Sequence, residues 1–594
     1  MVPDVRILAF HSGYHDSAAA VFEDYRCIAA VQQERLSREK GSGGLPWLAI
    51  DEVLQIAGWT RRDIDAIATT RSLFPTSYLR NTLFKEIDYG MRGWLGTDIS
   101  QRELARLCGR RKTRDSLSLF RSKQFLDDNG FRPGIPLRFA NHHEAHALPA
   151  LFYTDWDDAL VYTADGFGDN VSYSIRSLSD GKLECYYGDD RQLLVKAPKN
   201  SLALAYGYAT KACGFRINRH EGKLTGLAAR GQPTLAAAFS RYYRLNGNTG
   251  LIDTDFKTFT AVEQAIGDVC RGHDRETIAA SIQAVVEDLI CRAVNRWLKV
   301  TKARHLALAG GLFSNVRLNQ RLAETLPVDE VFVFPAMGDD GLAIGAALCF
   351  LRERDGLATW LSQRRRLDDV YLGRDYGQQI DACLSGADGV QCTKDAVAQT
   401  TVDLIRAGKV GAIYAGRMEY GPRALGDRSI LASPSDPTIN DVLNKRLDRS
   451  EFMPFAPYVL EEDAERVFEI TPRNRYAARF MTIACAVRPE WRERIAGVTH
   501  VDGTARPQVI RDKDNPLFAS ILRTFRDATG LPVLINTSFN VHEEPIINRP
   551  EECLQALTDG RVDFVVTQQA VYTCPVKVPR DKSRNRSAVP APAS

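Results

Sequence analysis

Ala159-Leu160-Val161-Tyr162-Thr163-Ala164-Asp165-Gly166-Phe167-Gly168-Asp169 decides how this chain is read. Ala159 to Thr163 has the composition of a buried strand, the next six residues that of a turn, and Val171 to Ile175 is strand-like again. The same order stands at the N-terminus. Val5 to Phe10 reads as a strand, His11 to Ser17 as a turn, and Ala18 to Phe22 and Cys27 to Gln32 as two further strands. Two such units, each followed by helical sequence, predict a duplicated α/β domain. Further on, His305 to Ala309, Gly310-Gly311 and Phe313 to Leu322 read as strand, glycine turn and helix. Glycines at a strand-to-helix turn leave room for a ligand at the helix N-terminus.

This order fits the actin, Hsp70 and sugar-kinase superfold, in which each half supplies one phosphate-facing turn. In that superfold the Gly310-Gly311 turn, with Asn315 just beyond it, is where a nucleotide is held. Helical sequence from Leu342 to Arg354 closes the unit, which we bound at residues 1–363. Residues 364–394 read as a connector, 395–576 as a second α/β unit, and 577–594 as a disordered tail without apolar periodicity.

Composition excludes several classes. A formal charge of +3 over 594 residues lacks the basic excess of a dedicated nucleic-acid binder. Arg102 to Lys123 is locally basic. A solvated helical face is the plain reading, with a lid or acceptor-binding insertion and an RNA contact as alternatives. Twelve scattered cysteines without a C-x-x-C pair predict a reduced, cytoplasmic protein. The N-terminus shows no secretory pattern, and no apolar run reaches the ~20 residues that span a bilayer.

Two segments carry chemistry. In Asn141-His142-His143-Glu144-Ala145-His146, a helix would set His142 and His146 one turn apart on one face, where two imidazoles can share a divalent metal. Three histidines in five residues, among ten in the chain, favour metal binding or catalysis over a structural role. The His-Glu-x-x-His protease pattern fails, because Glu144 does not follow the first histidine. The second segment is Gly416-Arg417-Met418-Glu419-Tyr420-Gly421-Pro422-Arg423-Ala424-Leu425-Gly426-Asp427-Arg428-Ser429-Ile430-Leu431, after the strand-like run Val410 to Ala415. Arginine forks bind phosphate or carboxylate, and glycines let the backbone approach a ligand, so the spacing predicts an oxyanion site. Arg417, Arg423, Arg428, Ser429, Lys445, Arg446, Arg449 and Arg506 would supply cations and donors. Asn536, Ser538 and Asn540 follow a buried strand as compact hydrogen-bonding groups.

The second segment resembles, nearly residue for residue, the signature of the O-carbamoyltransferase family of antibiotic and nodulation-factor biosynthesis. Tyr14-His15-Asp16-Ser17-Ala18-Ala19-Ala20, Gln33-Glu34-Arg35-Leu36-Ser37-Arg38, Glu221-Gly222-Lys223-Leu224-Thr225-Gly226-Leu227-Ala228 and His500-Val501-Asp502-Gly503-Thr504-Ala505-Arg506-Pro507-Gln508 resemble other family segments. Lys223 is not a Walker A lysine, since the second glycine and the hydroxyl are misplaced. The resemblance covers Val5 to Val576.

It implies a Kae1-like metal domain followed by a YrdC-like α/β domain. His142 and His146 would be joined by Asp165 and by Asp339 of Gly338-Asp339-Asp340-Gly341, with the choice of Asp339 over Asp340 resting on the resemblance alone. Iron(II) is the first expectation, with zinc or manganese as alternatives. The second domain would use ATP with Mg2+ to turn carbamoyl phosphate into carbamoyl adenylate. The first would transfer the group to a hydroxyl of a small-molecule acceptor. Asp16 would sit at the first phosphate turn, His15 or His143 would take the hydroxyl proton, and Lys223 would join them as a catalytic group. Neither nucleic acid nor membrane is an expected partner, and a homo-oligomer is left open. Three positions depart from the family pattern: Met453 where arginine is frequent, Asp448 near a frequent lysine, and Glu543 in place of a glycine. Threonylcarbamoyl transfer to tRNA and small-molecule phosphorylation are the competing functions.

Overall fold

The computed structural model describes residues 4–80, 101–195, 198–449 and 454–575. Met453 and the tail 577–594 therefore lie outside the described residues. The first unit holds two five-stranded sheets of one design. In the first, Arg6–His11 is central. It runs antiparallel to Ala18–Glu23, which pairs in turn with Arg26–Gln32, and parallel to Ala66–Thr70, which borders Leu137–Ala140. In the second, Ala159–Gly168 takes the central place. It runs antiparallel to Val171–Ser179 and parallel to His305–Ala309, with Lys182–Tyr187 and Glu330–Val333 at the edges. Order and pairing sense repeat, so the duplication expected from the two strand–turn–strand units is present. Arg6–His11 is buried from Ile7 onward. A strand covered on both faces reads as a continuous apolar run rather than an alternating one.

Helices His142–Phe152 and Leu342–Ser362 pack against each other, the first on the second sheet and the second on the first sheet. The shorter helix starts firmly. The Asn141 side chain accepts from the Glu144 amide at 3.0 Å, and Asp169 accepts from the His142 amide at 2.8 Å. Both satisfy donors that a helix start leaves open. His142 and His146 thereby turn towards Asp165 and Asp339, at strand-to-turn junctions of the second sheet.

The second unit is built on an eight-stranded sheet running Gln391–Thr393, Val571–Thr573, Phe564–Val566, Gly411–Tyr414, Arg428–Ala432, Val533–Ser538, Ala456–Leu460 and Gln508–Ile510. Helices Val397–Arg406 and Pro516–Thr529 pack together over this sheet. Residues 364–394, expected as a connector, are themselves structured. Tyr371–Asp375 pairs with Arg417–Glu419, Gln378–Ser385 is helical, and Gln391–Thr393 forms the edge of the large sheet. Ile380 and Leu384 are buried, which anchors that helix to the second unit.

The units are packed together. Phe332 stacks on Tyr476 with ring centroids 4.3 Å apart, and the Tyr476 hydroxyl donates to the Tyr153 carbonyl at 2.6 Å. Such a stack adds roughly 0.5–1.5 kcal/mol beyond its buried area. The basic stretch 102–123 contains helix Leu104–Arg111, whose apolar side is buried while Arg106, Arg110 and Arg111 are exposed. Arg110 and Arg111 match the solvated-face reading, whereas Arg102 is buried and Arg106 lines a cleft between the units. Among the described residues no helix is long and apolar enough to cross a membrane, and all twelve cysteines are free thiols.

Candidate active site and metal centre

Four side chains from three separate segments converge in the first unit. His142 and His146 come from the helix start, Asp165 from the end of the second sheet's central strand, and Asp339 from the short turn Asp339–Gly341. His142 Nε2 lies 3.2 Å from Asp165 Oδ2 and 3.7 Å from Asp339 Oδ1. His146 Nε2 lies 3.9 Å and 3.4 Å from the same two oxygens. The four ligating atoms all fall within 4.8 Å of one another. His146 Nε2 and Asp339 Oδ1 are buried and make no hydrogen bond, a costly state for polar atoms unless something else engages them. Two imidazoles and two carboxylates facing one point fit a divalent cation.

The electrostatics agree. Burial and the neighbouring Asp339 would raise the Asp165 carboxyl, but the hydrogen bond from His142 and the charge of His146 hold it below the usual carboxylate range. Burial opposes charge on His142 too, yet Asp339 and Asp165 hold its pKa up at about 9. Protons thus balance the carboxylates where a cation could do so, and binding one would release them.

The two neighbouring aspartates separate. Asp339 belongs to the quartet, whereas the buried Asp340 carboxylate accepts from Gln32 Nε2 at 2.8 Å and is pushed up to about 8, chiefly by burial. His143 also departs from its expected role. It is fully buried, with Nδ1 at 2.8 Å from Thr163 Oγ1 and Nε2 at 3.1 Å from the Val171 carbonyl. Both nitrogens are occupied by the sheet, so His143 cannot take a proton from a substrate hydroxyl. His15 is the better placed histidine. It lines the cleft and pairs with Asp16 at 2.9 Å. Burial works against its charge, but Asp16 and the carboxylates of the quartet hold its pKa at about 9.

A cleft of about 740 Å³ runs from the quartet to the second unit. His15, Asp16, Gly311, Asn315 and Lys223 line it on one side, and Arg423, Ser538 and Asn540 on the other. Gly310 adopts a φ of 98°, with a hypothetical Cβ 2.2 Å from the Ala164 carbonyl, so only glycine fits there. The Gly311 amide donates to Asp165 at 2.9 Å. Asn315 caps the helix Val316–Thr325 and donates to Gln283.

The remaining cations divide sharply. Of the arginines in the Gly416–Leu431 signature, only Arg423 lines the cleft. Arg417 donates to the carbonyls of Gly373, Leu372 and Ile28, tying the two units together. Arg428 is fully buried, 3.8 Å above the Tyr414 ring, and donates to the Ala415 carbonyl at 2.7 Å. Ser429 Oγ accepts from the Gly426 amide. Arg449 donates to Thr537, Ser538 and Asn540 and so fixes the Ser538–Asn540 wall. Arg446 pairs with Asp563 at 2.8 Å, Lys445 is exposed, and Arg506 is half-buried. Asn536 donates to Gln508 at 2.7 Å.

Several cleft residues escaped the sequence reading, among them His11, Lys40 and Arg71. Lys40 lies two residues beyond a quoted family segment, which was the available signal. At the rim, His220, His542 and Glu543 also come close enough to hold an ion. There, however, His220 Nδ1 accepts from the Arg216 amide, and Nε2 meets Glu543 at 2.5 Å. That group bridges the two units across the rim.

Residues 6–348 match the family described as Carbamoyltransferase N-terminus, and residues 402–573 that described as Carbamoyltransferase C-terminus. Nodulation protein NolNO of Sinorhizobium fredii is 32% identical over 589 residues, 97% of this chain and 81% of its own. Nodulation protein NolO of Bradyrhizobium diazoefficiens is 34% identical over 438 residues, 72% of this chain and 76% of its own. Among solved structures, full-length HypF in its phosphate- and nucleotide-bound form covers 60% of this chain and 57% of its own at 14% identity, with a TM-score of 0.30. With both family regions matched and most of its length shared with NolNO, this chain belongs to the carbamoyltransferase family and is an enzyme.

Proposed function

We propose that the chain is an ATP-dependent O-carbamoyltransferase. It takes the carbamoyl group of carbamoyl phosphate through carbamoyl adenylate, with release of phosphate and pyrophosphate, to a hydroxyl of a small-molecule natural product, with release of AMP. The observation that carries this reading is the single cleft, which has His142, Asp165 and Asp339 on one wall, with His146 buried behind them, and Arg423, Ser538 and Asn540 on the other. A labile carbamoyl adenylate formed at the second wall reaches the first without crossing bulk water.

At the activating end, Arg423 neutralises phosphate charge, while Ser538 and Asn540, braced by Arg449, orient the carbamoyl group or ribose. Mg2+ accompanies ATP. We read this unit as YrdC-like, in keeping with the family resemblance. Gly311 and Asn315 lie at the glycine turn that would hold the nucleotide in the first unit. At the transfer end, the quartet would hold iron(II), or else zinc or manganese, which would polarise the carbamoyl oxygen. His15, paired with Asp16 and held protonated while its pKa stays at about 9, would take the acceptor's proton only after giving up its own. Lys223 is buried and faces the same cleft, where its ammonium offsets charge on the phosphate of the departing AMP.

The test is to incubate the protein with ATP, carbamoyl phosphate and a panel of hydroxyl-bearing sugars, aminoglycosides and lipo-oligosaccharides, and to follow product mass and pyrophosphate. The reading requires a gain of one carbamoyl group that depends on both ATP and carbamoyl phosphate. Phosphorylated product, or activity that needs threonine and tRNA, would replace it.

A further inference from the structure

His11 ends the central strand of the first sheet and is 1% exposed. Its ring enters the same cleft as the quartet, yet none of the chemistry above uses it. The two oxygens of Asp339 face different ways. Oδ1 is turned to His142 and His146, at 3.7 and 3.4 Å, whereas Oδ2 lies 3.5 Å from His11 Nε2. That nitrogen is buried and forms no hydrogen bond. The distance exceeds a formed hydrogen bond but leaves only a small movement to make one. The loop closes against the same atom, since a hypothetical Cβ on Gly13 would lie 2.2 Å from Nε2.

The other side of the ring meets two hydroxyls that can set the tautomer. His11 Nδ1 is 2.7 Å from Thr70 Oγ1, which is 3.2 Å from Ser72 Oγ. With Ser72 donating to Thr70 and Thr70 donating to Nδ1, the ring proton sits on Nε2 and points at Asp339. The opposite tautomer would set a nitrogen lone pair against a carboxylate.

We propose that His11 is a positioning residue for the metal centre, holding the outer oxygen of Asp339 through Nε2–H so that the inner oxygen stays aimed at the ion. The proposal rests on the reading of the quartet as a metal site. Groups of this kind, bonded to the far side of a ligand, change metal affinity by about 10–100-fold when removed.

Co2+ is the probe, added to the full chain stripped with chelator and followed by titration and by its visible absorption bands. His11→Leu, which removes the N–H, should weaken Co2+ binding by about 10–100-fold and shift the bands. His11→Gln, which restores an N–H donor, should recover most of the affinity. Thr70→Val, which leaves the ring intact but frees its tautomer, should show a smaller loss in the same direction and stands in if His11→Leu does not fold. Parental Co2+ affinity and bands in His11→Leu would overturn the proposal and leave the quartet standing. A loss that His11→Gln does not recover, with bands of lower coordination number, would make His11 a ligand and also overturn it. Absence of Co2+ binding in the parental chain, or equal binding in His146→Ala, would overturn both readings together.

Discussion

Replacing Arg428 tests whether the arginines of the Gly416–Leu431 signature meet the substrate or the backbone. The sequence pattern assigns all three to an oxyanion. The fold instead buries Arg428 completely, with its guanidinium 3.8 Å from the Tyr414 ring and Nη1 donating to the Ala415 and Asp427 carbonyls at 2.7 and 2.9 Å. In Arg428→Met both carbonyls lose a buried donor, at about 1–3 kcal/mol each. Loss of the stacked cation removes roughly 0.5–2 kcal/mol more. The second unit should therefore lose on the order of 2.5–8 kcal/mol of stability. Arg428→Lys should fall between, because an ammonium has no planar fork to serve two carbonyls and a ring at once. Urea unfolding followed by tryptophan fluorescence, with pyrophosphate release measured at a temperature where each variant is folded, separates the two roles. A stable Arg428→Met protein that has lost carbamoyl-phosphate-dependent pyrophosphate release would refute the structural assignment and return Arg428 to the substrate.

Two other outcomes follow from buried histidines. His143→Leu should lower stability by about 1–3 kcal/mol, because Thr163 and the Val171 carbonyl lose their partner, while bound metal per chain stays at the parental level; lost metal at full stability would contradict this. His500 is buried, and desolvation lowers its pKa from 6.5 to about 4 despite the nearby Asp502. The unfolded chain therefore takes up a proton that the folded chain refuses. The stabilisation from a neutral His500 is complete above pH 6.5 and is lost as pH falls towards 4, up to about 3 kcal/mol. His500→Gln should flatten that part of the stability curve, and an unchanged slope would show that another group sets it.

The two strand–turn–strand units were legible because a buried strand and its turn are written in adjacent residues. His142 and His146 were legible for the same reason, since their spacing of four is a property of one helix. Asp165 and Asp339 come from distant segments, so only the family resemblance pointed to them. The structure sets both beside the histidine pair. The targets of Arg417 and Arg428 were not legible. They are main-chain carbonyls exposed by the irregular path of the loop, and their positions depend on how Ile28, Gly373 and Ala415 are brought together. His11 was passed over because a lone histidine at a strand end carries no spacing signal. Its role emerges only once Asp339, far along the chain, folds against it.

The central claim is that one cleft carries two separable half-reactions, and a paired single-turnover measurement tests it most directly. Carbamoyl-phosphate-dependent pyrophosphate release and carbamoylated product are followed together in the parental chain, in Arg423→Ala and in His146→Ala. Arg423→Ala should slow pyrophosphate release roughly ten- to hundredfold, as expected for a lost charge-assisted phosphate contact, and product should fall with it. His146→Ala should release pyrophosphate at the parental rate yet form almost no carbamoylated product. Parental product formation by a metal-free His146→Ala protein, or parental pyrophosphate release by Arg423→Ala, would contradict the account.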